Sequence, residues 1–211
     1  LKNNLEIPKN LRKKLLVQGS AIVMNSKNGN ILGMIGGRTE KNYIDHFNRA
    51  IQSKRQPGSV FKPFIYLSAL ENGAKPCTQL INQPLVFFID DTTRWNPQNH
   101  DGSTGLLTTL RDGLKRSLNL ISVRIVQELI SPTQVKKTAE KFNFSTSIRA
   151  VDAIALGVSE VKLIDMATAY SAISNNGILN EPLTITSIYS NDGRNIMDFQ
   201  NKSKEVADEK T

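Results

Sequence analysis

Ser59 and Lys62 stand three residues apart in the run Ser59-Val60-Phe61-Lys62, a spacing that puts a hydroxyl and an amine on one helix face, one turn apart. Such a pair can make a serine nucleophile without histidine, because the amine can take the hydroxyl proton. A lysine does this only when neutral, so its pKa must fall from about 10.4 towards about 7–8. Burial among Phe61, Phe64 and Tyr66 pushes it that way, as does the positive end of the helix dipole. Pro57-Gly58 suits a sharp entry that leaves the Ser59 oxygen exposed at the helix start. The spacing alone is not distinctive. Ser159-Glu160-Val161-Lys162 repeats it and reads as a helix N-cap followed by a surface lysine. A serine and an asparagine two apart occur in Ser26-Lys27-Asn28, Ser117-Leu118-Asn119 and Ser174-Asn175-Asn176, the first in a hairpin turn and the third at a helix end. The bland alternatives are a Lys62 that snorkels from a helix start and a Ser117 that is an ordinary N-cap.

Other chemistries lack their residues. No phosphate-cradling glycine loop, H-E-x-x-H or G-x-S-x-G elbow occurs. Asp90-Asp91 are adjacent, point apart, and read as solvated loop charge. The lone Cys77 excludes an internal disulfide and a multi-cysteine metal site. Two histidines, His46 and His100, argue against histidine-dependent triads and most zinc centres, so no metal ligands are assigned.

Asn28-Gly29 between the apolar runs Gly19–Asn25 and Ile31–Gly37 predicts an antiparallel hairpin. Apolar residues at helical spacing from Ser59 to Leu70, then Gly73, predict a buried helix. Residues 76–105 read as irregular, with Leu85–Ile89 strand-like. Helices follow over Thr108–Arg116, Leu120–Ile130, Pro132–Phe142 with Ser131 as cap, and Leu163–Asn176. A last strand pair, Leu183–Ser190 and Arg194–Phe199, turns at Asn191-Asp192-Gly193. The order implies an α/β domain, an antiparallel sheet flanked by helices with a mainly helical insertion, in which strands from the two ends join. The boundaries are a basic arm over 1–18 and a domain over 19–211. Within the domain, 19–66 and 178–200 form the sheet part, 67–177 the mainly helical part, and 201–211 a frayed polar tail.

Charge adds little about partners. The net charge is +8, and Lys2, Lys9, Arg12, Lys13 and Lys14 against Glu6 place +4 of it in the first fifteen residues. No aromatic residues interleave with them, so a solvated connector is expected rather than a nucleic-acid arm. The same charge is compatible with a nearby anionic membrane or wall polymer.

Longer runs carry a resemblance. Phe47-Asn48-Arg49-Ala50 and Arg55-Gln56-Pro57-Gly58-Ser59-Val60-Phe61-Lys62-Pro63-Phe64 resemble the active-site region of class A penicillin-binding proteins. Trp95-Asn96-Pro97-Gln98-Asn99-His100-Asp101 resembles that family's W-x-P-x-N segment, and Thr109 to Asn119 the helix and turn of its S-x-N motif. Ala155–Val161 and Met166–Tyr170 resemble a further block, and Gly19–Gly37 its opening hairpin. The resemblance implies the serine β-lactamase and D,D-peptidase-like fold and a peptidoglycan D,D-transpeptidase. Ser59 would be acylated by a stem peptide ending in D-Ala-D-Ala, or by a β-lactam, with Lys62 as base. Ser117 would relay the proton to the leaving amine, and Asn119 would bind the substrate amide and hold Lys62. Trp95, Asn99 and Asp101 line the cleft in one reading and only fix an irregular loop in another. No cofactor is required. The resemblance also implies an extracytoplasmic location, a membrane anchor and a glycosyltransferase domain outside this chain, and other wall-synthesis proteins as partners.

The family's third motif, K-[ST]-G, is absent, since Lys210-Thr211 ends the sequence without the glycine. Its strand, expected in a longer parent protein, would bring a cation for the substrate carboxylate and one oxyanion N–H, whose loss typically costs about 10²–10³ in rate. The isolated chain is therefore expected to acylate poorly. A β-lactam sensor and a non-catalytic scaffolding module remain as other readings. A serine β-lactamase is disfavoured, because it would not bring the Trp95 and Ala155 blocks.

Overall fold

Asn28-Gly29 turns the chain as its sequence requires. Gly29 takes a φ of +70°, and its N–H bonds to Asn25 O at 2.8 Å. The computed structural model describes residues 17–38, 46–88 and 94–211. The basic arm up to residue 16, most of the loop after residue 38, and Asp90-Asp91 lie outside the described residues.

Strands β1 (Ala21–Met24) and β2 (Ile31–Ile35) form the antiparallel hairpin. Strand β3 (Lys54–Arg55) leads to a 3₁₀ turn over Gly58–Phe61 and into helix α1 (Lys62–Glu71). Gly73, at φ +92°, ends α1, with Ala74 N–H on Ala69 O and Gly73 N–H on Leu70 O. Next come β4 (Gln79–Ile81), β5 (Phe87–Phe88), β6 (Arg94–Trp95) and β7 (Leu107–Thr109), paired β4 with β7 and β5 with β6.

Helix α2 (Leu110–Lys115) starts after Thr109, whose hydroxyl oxygen accepts from Asp112 N–H. The predicted start at Thr108 is thus two residues early, because Leu107–Thr109 pair with Gln79–Ile81 across the loop read as irregular. Helix α3 (Asn119–Arg124) passes into a π turn over Ile125–Leu129. Helix α4 (Pro132–Lys141) carries a capping box between Ser131 and Gln134, with Pro132 in its first turn. A 3₁₀ turn over Asp152–Leu156 leads to β8 (Val161–Lys162), paired with β3, then to α5 (Leu163–Ser174).

Ser159 of the second S-x-x-K run is not a helix cap; Lys162 occupies that position, with no side-chain capping bond. Ser159 is buried and accepts Arg149 N–H, while Lys162 sits extended in β8. The serine is used inside the loop before α5 starts.

Strands β9 (Ile178–Asn180), β10 (Ser187–Tyr189), β11 (Asn195–Asp198) and β12 (Ser203–Glu205) complete the described chain. The tail expected to fray does not. β12 pairs with β9, Val206 is buried, and its N–H bonds to Gly177 O. One apolar residue in a polar run supplies the anchor. The two ends of the chain meet at a bridge between Asn30 and Leu183; otherwise the described strands pair two by two.

The core lies under α1. Phe64 meets Phe61, Phe142 and Phe144 with ring centroids 5.3, 5.0 and 5.6 Å away, which anchors the helix carrying Lys62. Among the described residues, no helix is long and apolar enough to cross a membrane.

Candidate active site

Ser59 sits exposed in the 3₁₀ turn that feeds α1. Two long-range contacts hold the turn. Gly58 N–H bonds to Gly157 O at 3.2 Å, and the Tyr170 hydroxyl donates to Val60 O at 2.7 Å. Gly58 and Gly157 both have positive φ, +59° and +68°. A Cβ on Gly157 would stand 2.2 Å from Gly58 O, so only glycine permits this approach.

Lys62, one turn further on, is only 1% exposed. Its amine has three oxygen partners: Asn119 Oδ1 at 2.8 Å, Ser117 Oγ at 3.0 Å and Ser117 O at 2.5 Å. None is a carboxylate. Burial therefore acts uncompensated and lowers the Lys62 pKa from 10.5 to about 8. The partners also suit a neutral amine. Its two N–H groups can stay on the two carbonyl oxygens, which only accept, and its lone pair can face a hydroxyl, which can donate.

Ser117 reaches Lys62 because of how α2 ends. Leu118 N–H bonds to Gly113 O and Ser117 N–H to Leu114 O, the paired bonds of a Schellman cap. Ser117 occupies the position that glycine usually fills, at φ +54°. Backbone strain of this kind, about 1–3 kcal/mol, is characteristic of functional sites. The Ser117 carbonyl and hydroxyl both face Lys62, so Ser117 is not an N-cap and Lys62 does not snorkel.

Asn119 opens α3, and its side-chain N–H₂ donates to Gln98 O at 2.8 Å. Asn99 holds the same helix start from outside, its Oδ1 accepting Leu120 N–H at 3.0 Å while its N–H₂ donates to Asn82 Oδ1 and Ser103 O. It is 6% exposed and its hydrogen-bonding groups face inward. Of the two readings of Asn99, the geometry favours the loop-fixing one. We expect Asn99→Ala to lower the melting temperature by several degrees, since it strands buried groups at about 1–3 kcal/mol each. A calorimetric scan measures this; an unchanged midpoint would contradict the assigned contacts.

A cavity of about 430 Å³ is lined by Ser59, His100, Asp101, Arg116, Ser117, Leu118 and Asn119. Arg116 lies 3.4 Å from Asp101 Oδ2. Hydrogen bonds from Ser103, and then Arg116, hold the Asp101 carboxyl below its ordinary pKa. The structure thus gathers Ser59, Lys62, Ser117 and Asn119. Trp95 packs on Phe87, ring centroids 4.9 Å apart, and is not among the residues lining the cavity. Sequence reasoning missed His100 and Arg116 as cleft residues, and Gly157 and Tyr170 as supports of the nucleophile turn. Arg116 adjoins Ser117 and His100 lies between Asn99 and Asp101 in sequence, which are the local signals; Gly157 and Tyr170 arrive through tertiary contact.

Comparison with known proteins shows the family to which the chain belongs. Residues 19–211 match the family model described as the penicillin-binding protein transpeptidase domain. Penicillin-binding protein 1A of Neisseria meningitidis is 35% identical over 185 residues, 85% of this chain and 22% of the relative. That of Rickettsia felis is 34% identical over 194 residues, covering 91% and 24%. The crystal structure of penicillin-binding protein 1A from Haemophilus influenzae superposes with a TM-score of 0.81 at 33% identity, over 88% of this chain and 28% of that one. A penicillin G acyl-enzyme complex of penicillin-binding protein A from Mycobacterium tuberculosis, 18% identical, shares the fold with a TM-score of 0.80. The chain spans 22% and 24% of the length of these two curated relatives. It belongs to the penicillin-binding protein transpeptidase family, and its mixed helix and antiparallel sheet is that family's fold.

Proposed function

We propose that this chain carries the acylating half of a peptidoglycan D,D-transpeptidase site, on the extracytoplasmic face of a membrane to which segments outside this chain anchor it. The observation that carries the reading is the buried Lys62 amine, bonded to Ser117 and Asn119 one turn from the exposed Ser59.

Neutral Lys62 takes the Ser59 proton as the oxygen attacks the carbonyl between the two terminal D-Ala residues of a stem peptide. The C–N bond breaks and the leaving amine takes a proton delivered from Lys62 through the Ser117 hydroxyl. Terminal D-Ala departs and an ester remains on Ser59. An acceptor amine then attacks that ester, returns its proton by the same route, and frees Ser59 with a new amide formed. Asn119 keeps Lys62 aimed and offers its amide edge to the peptide. A β-lactam enters the first step and stops there, because its amine stays tethered to the acyl group.

The test is mass spectrometry of the protein carrying this chain after treatment with a fluorescent penicillin. We expect one label, on the peptide that contains Ser59, and none in Ser59→Ala. A label retained on another serine in that variant overturns the assignment.

A further inference from the structure

Between α1 and α2 lies another cavity, of about 390 Å³, which the transpeptidase chemistry does not use. Its volume falls in the range of about 300–1,000 Å³ typical of small-molecule sites. Tyr66 and Leu70, four apart on α1, form one wall, and Leu110 and Leu114, four apart on α2, form the other. Pro76 closes the end, where Arg111 N–H bonds to Pro76 O. Leu114 is left 38% exposed.

The lip has one sign of charge. Arg111 and Lys115, also four apart on α2, border the cavity and are exposed. Neither has a carboxylate partner among the described residues. The acidic residue between them, Asp112, accepts from Thr109, and Asp101 takes Arg116 instead. Like charges at this helical spacing repel, and an anion set between them relieves that repulsion.

The walls are the two helices that place the catalytic groups. α1 begins with Lys62, and α2 ends two residues before Ser117. They meet without slack at Gly113, where an added Cβ would lie 2.8 Å from the Tyr66 hydroxyl and 2.6 Å from Ile121 Cγ2. A body that widens the groove must move α2 against α1, and Ser117 moves with it.

We infer that this groove is a ligand site for a small amphipathic anion, an apolar body bearing one carboxylate, and that its occupancy is coupled to the Lys62–Ser117 contact. The apolar body lies between the leucines and the carboxylate meets Arg111 and Lys115. Nothing in the inference requires the acyl acceptor or the wall polymer.

The probe is 2-naphthoate, with 2-naphthamide as its uncharged match, titrated calorimetrically into the protein carrying this chain. We expect saturable one-to-one binding of the carboxylate, with the amide weaker by about tenfold or more. The double variant Arg111→Gln/Lys115→Gln and the mouth variant Leu114→Gln should each weaken naphthoate by a similar factor. Bound naphthoate should also change the rate of Ser59 labelling by a fluorescent penicillin in the wild type and not in the double variant. No binding, equal binding of acid and amide, or binding unaffected by the variants overturns the site. Binding that leaves the labelling rate unchanged overturns the coupling. Failure of labelling without any naphthoate counts against the transpeptidase reading instead.

Discussion

Lys62→Met should lower the second-order rate of Ser59 acylation by penicillin by about 10²–10⁴-fold, the usual contribution of a positioned general base. Methionine is unbranched, one atom shorter and apolar, so it suits the buried position of Lys62 while removing the amine. The wild-type pH profile identifies the reason. With a pKa of about 8, the amine is neutral in about 1% of molecules at pH 6 and half of them at pH 8. The acylation rate therefore climbs about tenfold per pH unit through the acid range and levels off above pH 8. Stopped-flow acylation across this range checks both statements. A variant that keeps wild-type rates, or a wild-type profile flat from pH 6 to 8, would remove Lys62 from the role of base.

Gly157→Ala should cost about 10²-fold in the same acylation rate, although residue 157 lies outside the cavity that holds Ser59. Two effects combine. A Cβ at φ +68° is strained by about 1–2 kcal/mol, and it points at a backbone carbonyl, Gly58 O, only 2.2 Å away. No rotamer change relieves a clash with backbone, so the 58–61 turn must shift and Ser59 shifts with it. Misplacing a reacting group by about 1 Å is enough for the stated loss. Gly73→Ala is the control. It also has positive φ, but open space surrounds its added Cβ, and its rate should stay within about twofold of wild type. Equal losses in the two variants would show that general destabilisation, not displacement of Ser59, is responsible.

The elements legible in the sequence are those set by neighbours in the chain. Asn28-Gly29 announces its hairpin, and Ser131, Pro132 and Gln134 announce the start of α4, because the capping bonds span three residues. The pairing of β4 with β7 could not be read this way. Each strand has three residues, and what fixes them is the partner, across a loop full of prolines and glycines. The same holds for Val206, a single apolar residue whose burial depends on β9. In the candidate site, the Ser59–Lys62 spacing can be read from a single run, whereas the contact of Lys62 with Ser117 spans 55 residues. Which of its two readings Asn99 follows cannot be read locally, since its bond to Leu120 N–H crosses 21 residues. The approach of Gly157 to Gly58 leaves no local trace beyond a glycine.

Burying Lys62 also couples folding to proton release. In the unfolded chain the amine holds its proton up to about pH 10.5, while in the folded chain it loses it near pH 8. Below pH 8 the fold carries the buried ammonium at a cost, and that cost disappears as the pH rises past 10.5. Between those limits each molecule that folds sheds a proton, so this residue makes the protein more stable with increasing alkalinity. The cation that must be neutral to act is thus a standing load on the native state at neutral pH, and a chain relieved of it would fold more firmly and catalyse less.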